Sequence, residues 1–268
     1  FIPPFDDLKV VEGQGTVAVE ALQDLPDMDA IFIPIGGGGL AAGASYYLKS
    51  KNKAIKCYGV EPEGAPSMQA ALTHGAPFEL EHINKFVDGA AVKKIGATTF
   101  EIAKQLLDDT RSIPEGKICT CILELYNKDA IVVEPAGALS VAALEFHKEE
   151  IKGKKVVCII SGGNNDIDRM SEIKELSLLY EGYKHYFIVR FPQRPGALKL
   201  FVSEVLGPKD DITRFEFIKK TERERGPALV GIELNKPEDY ETLIERMKEY
   251  KFDVIEINKD QTLFEYLV

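Results

Sequence analysis

A run of four glycines between an apolar segment and a helical segment is the strongest candidate for a ligand-binding element. IFIPI (31–35) predicts a short buried strand, and LAAGASYYLKSK (40–51) predicts a helix after the glycines at 36–39. Glycines at such a junction let the backbone approach a ligand, and the helix N-terminus supplies free N–H groups and a partial positive charge. The unit therefore suits a phosphate group, and this outweighs a packing role because four consecutive glycines cost backbone entropy.

The spacing of the glycines leaves the identity of the phosphate ligand open. Gly36, Gly38 and Ala41 formally satisfy the G-x-G-x-x-G/A pattern of dinucleotide binding. Glu61 ends the next predicted strand about 20 residues further on, where such sites bind the ribose. A NAD-dependent dehydrogenase is therefore one hypothesis. A glycine-only run matches this short pattern easily, so other phosphate-bearing cofactors remain alternatives.

Two further segments contain side chains that could bind ligands. SGGNND (161–166) follows the apolar run KKVVCIIS (154–161), and open α/β sheets bind ligands beyond the carboxyl ends of their strands. Ser161 could hydrogen-bond a ligand atom there, although spacing alone slightly favours local turn and cap roles for Ser161 and Asn164. FPQRPGAL (191–198) places Arg194 near a helix N-terminus that could receive a carboxylate, although spacing alone favours a plain strand–helix connection.

Other familiar catalytic and metal-binding patterns are absent from the sequence. The cysteines at 57, 119, 121 and 158 lack zinc-ligand or redox spacing, so they are interpreted as free thiols of a reducing compartment. The four histidines show no H-x-x-x-H or H-E-x-x-H spacing. The sequence also has no G-x-S-x-G nucleophile elbow and no G-x-x-x-x-G-K-[ST] loop.

The composition indicates a folded, acidic protein. The 268 residues are 45% hydrophobic and 28% charged, which is enough apolar content for a real core. The net charge of −10 disfavours nucleic acid and anionic membrane surfaces as partners. No signal peptide or membrane span is evident, so we expect a cytoplasmic protein whose partners are small molecules or copies of itself.

The element pattern predicts two domains. From about 15 to 180, apolar strands alternate with helices, which is typical of an α/β domain with a parallel sheet. One of these helices is predicted to start with a capping box between Thr98 and Glu101. The remaining segment follows the order βαββαβ, which is typical of a ferredoxin-like domain. The predicted domains are 1–181 and 182–268.

The ordered motifs resemble a known enzyme family over essentially the whole chain. The segment up to residue 181 resembles the threonine/serine dehydratase group of pyridoxal-phosphate enzymes, which has the tryptophan-synthase-like fold. The βαββαβ segment with FPQRPGAL resembles the ACT-like regulatory domain of biosynthetic threonine dehydratases. The motifs that carry the first resemblance are FIPPFDD (1–7), GQGT (13–16), IPIGGGGLAAG (33–43), VEPEGAPS (60–67), DGAAVKKIG (88–96), VVEPAGAL (132–139) and IISGGNN (159–165).

The resemblance implies pyridoxal phosphate as the cofactor and makes the dehydrogenase hypothesis less favoured. Ser161 matches the serine that faces the pyridine nitrogen. The implied reaction is the deamination of L-threonine, or of serine, and for threonine the products are 2-oxobutanoate and ammonia. The positions that match the family's phosphate-binding loop are Gly36, Gly37, Gly38, Gly39 and Leu40.

One departure from the family pattern concerns catalysis. The family's Schiff-base lysine lies in an S-x-K-x-R-G-A motif, followed by an S-G-N-H-A-Q-G loop, and neither motif occurs here. We therefore expect the lysine to lie upstream of this chain, assign no catalytic residue within it, and expect the chain alone to be inactive. A non-catalytic amino-acid sensor with a degenerate cofactor pocket is the alternative.

A second departure concerns metal binding. Glu61 and Ala65 match two metal-ligating positions of related serine racemases. The third position is acidic in those relatives but is Ser67 here, so no metal is expected.

The resemblance also implies regulation. Isoleucine is the expected feedback inhibitor and valine its antagonist, acting on a homo-oligomer that is expected to be a tetramer. An effector must bind one quaternary state better than another to act in this way. The predicted effector site consists of Arg194, Pro195, Gly196, Ala197, Leu198, Phe215 and Phe217.

Overall fold

The computed structural model describes residues 3–217 and 225–268, so Phe1 and Ile2 of the FIPPFDD motif lie outside the described residues. The chain divides into two compact units between Lys174 and Glu175. This division falls inside one helix, Met170–Tyr180. The domain boundary predicted from the sequence, at 181/182, lies just after the same helix.

The first unit contains a four-stranded sheet in which every pairing is parallel. The strand order is β3-β2-β1-β4. The α/β class and the parallel sheet predicted from the alternating pattern are therefore confirmed. The strands are β1 (Ala30–Pro34), β2 (Lys56–Pro62), β3 (Asp109–Ile113) and β4 (Val156–Cys158).

Helices connect and cover these strands. Among them, α3 and α7 both pack against the central strand β1, and α2 packs along α3. The helices of the first unit, including the one that crosses the division, are α1 (Leu8–Gln14), α2 (Thr16–Asp24), α3 (Gly39–Lys51), α4 (Ser67–His74), α5 (Ala97–Leu106), α6 (Glu115–Asp129), α7 (Pro135–Ala142), α8 (Lys148–Ile151) and α9 (Met170–Tyr180).

The apolar run of β1 lies at the centre of the first core. All five residues of this strand are buried, because it has neighbours on both sides within the sheet. The core cluster around it includes Ile31, Ile33, Leu48 and Phe100. A central strand of a parallel sheet is covered on both faces, which explains why the sequence shows no polar alternation here.

The strand predicted at 154–161 is shorter than expected. Only Val156–Cys158 form ladder pairs, and they pair with β1 alone. Each of the three residues is half-buried, and Ile160 beyond them is 40% exposed. A hydrophobic run predicts that a strand forms, but the number of its residues that pair depends on the neighbouring strands in the sheet.

The second unit is built around an antiparallel sheet in the order β6-β7-β5-β8. With one helical segment after β5 and one after β7, the unit has the predicted βαββαβ order. Its core contains Phe187, Phe201, Val230 and Met247. The elements are β5 (Lys184–Pro192), α10 (Ala197–Leu200), β6 (Asp211–Phe217), β7 (Arg225–Glu233), α11 (Asp239–Glu249), β8 (Asp253–Glu256) and α12 (Gln261–Leu267).

The helix after β5 begins at Ala197, because Gly196 before it adopts a left-handed conformation with φ of 86°. It continues after Leu200 as a π-helical turn, Phe201–Val205. No helix within residues 3–217 and 225–268 is long and apolar enough to cross a membrane.

Candidate functional site

The glycine run forms the loop between β1 and α3, as predicted. The strand ends at Pro34, and the helix begins at Gly39. Gly38 precedes the helix with φ of 91°, a left-handed conformation that glycine adopts without a steric penalty. The thirteen-residue helix that follows therefore presents its N-terminus, with its partial positive charge, at the carboxyl edge of the sheet.

This loop lines a cavity of about 430 Å³. All six cofactor-binding residues predicted from the sequence line it, so the structure brings the loop and the serine together. The described residues that line this glycine-loop cavity are Pro4, Phe5, Gln14, Pro34, Gly36, Gly37, Gly38, Gly39, Leu40, Gly89, Ala90, Val92, Ala136 and Ser161.

The glycine-loop cavity offers backbone donors rather than charged side chains. None of its described lining residues is ionisable, and only Gln14 and Ser161 carry a polar side chain. Gly38 is buried, and its backbone N–H has no acceptor among the described residues. Because Gly38 also lines the cavity, this N–H is available to an anion that accepts its hydrogen bond.

Ser161 is held in place by its neighbours on either side. Ser140 on α7 donates from its buried hydroxyl to the carbonyl of Ile159 at 2.7 Å. The backbone N–H of Glu134, just before α7, donates to the carbonyl of Gly162 at 3.1 Å. The VVEPAGAL motif thus provides the helix start that fixes the segment carrying the serine.

The segment that precedes α1 packs against the glycine loop. An ideal Cβ on Gly37 would lie only 2.0 Å from Cγ of Phe5, so this position requires glycine. The next residue, Asp6, accepts hydrogen bonds from the backbone N–H groups of Ala97 at 3.0 Å and Thr98 at 2.8 Å, at the start of α5. The FIPPFDD motif therefore covers the loop and caps a distant helix.

Glu61 lies outside the glycine-loop cavity. Its carboxylate accepts hydrogen bonds from the backbone N–H groups of Met68 and Gln69, both at 2.9 Å, at the start of α4. Burial raises the pKa of this carboxyl to about 7, although the two N–H donors oppose the shift. The dehydrogenase hypothesis needs Glu61 to bind a ribose, but this side chain is fully buried and both of its oxygens accept backbone hydrogen bonds. The absence of a metal at this position stays a prediction.

A second cavity, of about 360 Å³, lies in the second unit. The predicted effector residues Arg194, Pro195, Gly196, Ala197, Leu198, Phe215 and Phe217 all line it. Phe191 joins them, and its ring contacts those of Phe215 and Phe217 edge-on at 5.8 and 6.1 Å. We name it the effector cavity after the prediction, which stays a prediction; Arg194 and three phenylalanine side chains are among the residues that line it.

Several residues that line the two cavities were not predicted from the sequence. Phe5 and Gln14 line the glycine-loop cavity, and Gln193 lines the effector cavity. The amide nitrogen of Gln193 is buried and has no partner among the described residues. Each of these three residues belongs to a motif quoted above: Phe5 to FIPPFDD, Gln14 to GQGT and Gln193 to FPQRPGAL. Their place in these motifs is the sequence feature that could have identified them as lining residues.

Family models match both units. Residues 1–162 match the family described as pyridoxal-phosphate dependent enzyme. Residues 175–267 match the C-terminal regulatory domain of threonine dehydratase.

Similar proteins extend over the whole chain. The biosynthetic L-threonine dehydratase IlvA of Halalkalibacterium halodurans is 57% identical over 100% of this chain and 65% of that protein. The enzyme of the same name from Bacillus subtilis is 56% identical over 100% of this chain and 64% of that protein. This chain therefore spans just under two thirds of the length of these relatives.

Solved structures with the same fold include two threonine deaminases. The processed form of isoform 2 from Solanum lycopersicum has a TM-score of 0.62 and 38% identity, covering 66% of this chain and 52% of that chain. The threonine deaminase from the organism abbreviated T.th. has a TM-score of 0.58 and 32% identity, covering 61% of each chain.

Proposed function

The chain belongs to the pyridoxal-phosphate-dependent enzymes, and we propose that it forms the cofactor-binding and regulatory parts of an L-threonine ammonia-lyase. The observation that carries the proposal is the glycine-loop cavity, which is lined both by Gly38, whose N–H has no acceptor among the described residues, and by Ser161. The names of the relatives and of the second family model support the choice of threonine.

The residues of the glycine-loop cavity fit a phosphorylated pyridine. The backbone N–H groups of Gly36, Gly37, Gly38, Gly39 and Leu40 hold the phosphate, assisted by the partial positive charge of α3. The hydroxyl of Ser161 faces the ring nitrogen and, unlike a carboxylate, does not keep it protonated. The bound cofactor supplies a mild electron sink at the substrate's α-carbon, which is sufficient to expel a β-hydroxyl group.

The proposed reaction converts L-threonine into 2-oxobutanoate and ammonia, the first step of isoleucine biosynthesis. It needs a base for the α-proton, and no ionisable side chain lies among the described residues of the cavity. We assign that task to a lysine outside this chain, consistent with the greater length of the relatives. Serine is the alternative substrate.

The second unit is proposed to bind isoleucine in the effector cavity, with valine as the opposing ligand. The guanidinium of Arg194 suits the α-carboxylate, and the rings of Phe215 and Phe217 suit a branched apolar side chain. Gln193 also lines this cavity, and its amide nitrogen is buried without a partner among the described residues. Carboxylate recognition beside an aromatic wall favours an apolar amino acid over a nucleotide.

We also propose how the chain is divided into domains and how it assembles. We assign the cofactor part to residues 1–181 and the regulatory part to 182–268, in a cytoplasmic homotetramer. Feedback then requires isoleucine to bind one arrangement of subunits more tightly than another. A protein that binds amino acids without turnover is the rival function, and it predicts effector binding without any product.

The test uses the protein as its own gene encodes it. The protein is incubated with pyridoxal phosphate, reduced with borohydride and weighed intact, and 2-oxobutanoate is assayed with L-threonine. We expect one cofactor adduct on a polypeptide heavier than 29.7 kDa, with turnover that isoleucine inhibits. A polypeptide of 29.7 kDa without an adduct would favour the sensor. Production of 2-oxobutanoate by the 268-residue chain alone would show that its base lies within it.

A further inference from the structure

We propose that Thr99 is a positioning residue that aims the backbone N–H of Gly38 at the phosphate of the cofactor. This inference rests on the proposed function of the glycine-loop cavity. Thr99 lies on α5 and does not line the cavity, so it acts on the ligand only through the loop.

The carbonyl of Gly37 is held by two donors. The hydroxyl of Thr99 donates to it at 2.7 Å, and the backbone N–H of Gly96 donates to it at 3.2 Å. The same hydroxyl lies 3.2 Å from the carbonyl of Gly96, but it has a single proton and the contact with Gly37 is shorter. Thr99 is completely buried, so water does not compete for this bond.

The peptide between Gly37 and Gly38 couples this hydrogen bond to the direction of the Gly38 N–H. The C=O of one residue and the N–H of the next point in opposite directions across a trans peptide, and the described chain has no cis peptide. When the Gly37 carbonyl is fixed towards α5, the N–H of Gly38 must point away from α5. That N–H has no acceptor among the described residues, and Gly38 lines the cavity.

The position of Thr99 is itself fixed from a distant part of the chain. The carboxylate of Asp6 accepts the backbone N–H groups of Thr98 at 2.8 Å and of Thr99 at 3.3 Å, which anchors the first turn of α5. An ideal Cβ on Gly38 would lie 2.8 Å from the hydroxyl oxygen of Thr99, so the loop and the helix are in close contact. Neither element can shift far without the other.

The experiment compares two ligands that differ only in the phosphate. Equilibrium dialysis measures the binding of pyridoxal phosphate and of pyridoxal to the complete protein and to its Thr99→Val and Thr99→Ser variants. Valine keeps the shape of threonine without the hydroxyl, and serine keeps the hydroxyl. Thr99→Ala serves as a second variant without the hydroxyl if Thr99→Val does not fold.

We expect Thr99→Val to weaken the binding of pyridoxal phosphate by about 10-fold, the effect of one misplaced hydrogen bond, and that of pyridoxal by less than about 2-fold. Thr99→Ser should bind both ligands like the parent protein. Equal weakening of both ligands, or of neither, would overturn the role of Thr99 while leaving the proposed function intact. If the parent protein did not prefer the phosphorylated ligand, the proposed function would fail, and this inference with it.

Discussion

Each of the two cavities is lined by a glycine that precedes a helix, and the two glycines have the same left-handed backbone conformation. Gly38 has φ of 91° before α3, and Gly196 has φ of 86° before α10. An ideal Cβ on Gly38 would meet Thr99 at 2.8 Å, whereas one on Gly196 would meet nothing within 4 Å. A left-handed glycine before a helix is therefore tightly packed in the first unit and open to solvent space in the second.

The difference extends to the groups that each cavity offers. The glycine-loop cavity presents backbone N–H groups, so residues that never touch the ligand determine its shape. The effector cavity presents side chains, above all the guanidinium of Arg194 and three phenylalanine rings. We infer that changes in backbone conformation damage the first cavity most and that side-chain truncations damage the second most.

The largest effect is expected from Gly38→Ala. In the variant the free loop relaxes from the left-handed conformation, so rebuilding it on binding costs about 1–2 kcal/mol, and a displaced charge-assisted bond costs a further ~2 kcal/mol. Binding of pyridoxal phosphate should therefore weaken by roughly 100- to 1000-fold. Equilibrium dialysis measures the change. Gly75→Ala is the matched control, because Gly75 has φ of 75° and its Cβ would meet nothing within 4 Å. Unchanged binding in Gly38→Ala would show that the backbone of the glycine loop does not control phosphate binding.

The next effect concerns the stability of the first unit and its pH dependence. The folded pKa of Glu61 is about 7 against an ordinary value of 4.5, so folding takes up a proton between these values. Its contribution to stability is complete below pH 4.5 and is lost as the pH rises through 7.

Urea unfolding of the parent and the Glu61→Gln variant between about pH 5 and 8 measures this contribution. The parent should lose about 2.5 kcal/mol relative to the variant over that range. Glu20→Gln is the control, because that side chain is exposed. A flat difference between the parent and Glu61→Gln would show that Glu61 is ionised throughout.

A moderate effect is expected from Arg194→Ala. Loss of the guanidinium should weaken the binding of isoleucine by about 10- to 30-fold, since a charge-assisted bond to the carboxylate is lost. Isothermal titration calorimetry measures the change. Arg190→Ala is the control, because that guanidinium pairs with Asp253 at 3.1 Å and does not line the cavity. Unchanged affinity in Arg194→Ala would remove this residue from the effector site.

The smallest effect is expected from Gly196→Ala. The added methyl group meets no neighbour, so only left-handed strain of about 1 kcal/mol opposes it, and isoleucine binding should weaken by less than about 5-fold. Calorimetry under the same conditions allows a direct comparison with Gly38→Ala. A loss as large as that of Gly38→Ala would show that the two glycines are equivalent after all.

Local pattern predicted the elements that carry the two cavities. The glycine loop lies between a strand and a helix as expected, because its flanking apolar runs and its glycines specify that junction without distant partners. Ser161 lines the glycine-loop cavity, and Phe215 lines the effector cavity, each together with the other residues predicted for the same site. The paired length of β4 was not predictable, because strand pairing depends on which neighbours the sheet provides.

Contacts between residues that are distant in the sequence determine the helix cap and the strand that were not predicted. The helix α5 begins at Ala97 and is capped by Asp6, so the predicted capping box of Thr98 and Glu101 does not form. Glu101 instead pairs with Lys104 at 2.7 Å. The strand β3 has the polar sequence DTRSI, and its pairing with β2 rather than its own pattern defines it.

The most direct measurement of the central claim is an amide NMR titration of the protein with pyridoxal phosphate, with pyridoxal as the comparison. We expect the largest shifts at the N–H groups of Gly37, Gly38 and Gly39, with much smaller shifts there for pyridoxal. Gly75 and Gly196 should not respond to either ligand. Shifts confined to other residues, or identical shifts for both ligands, would contradict the claim that the glycine loop binds the phosphate.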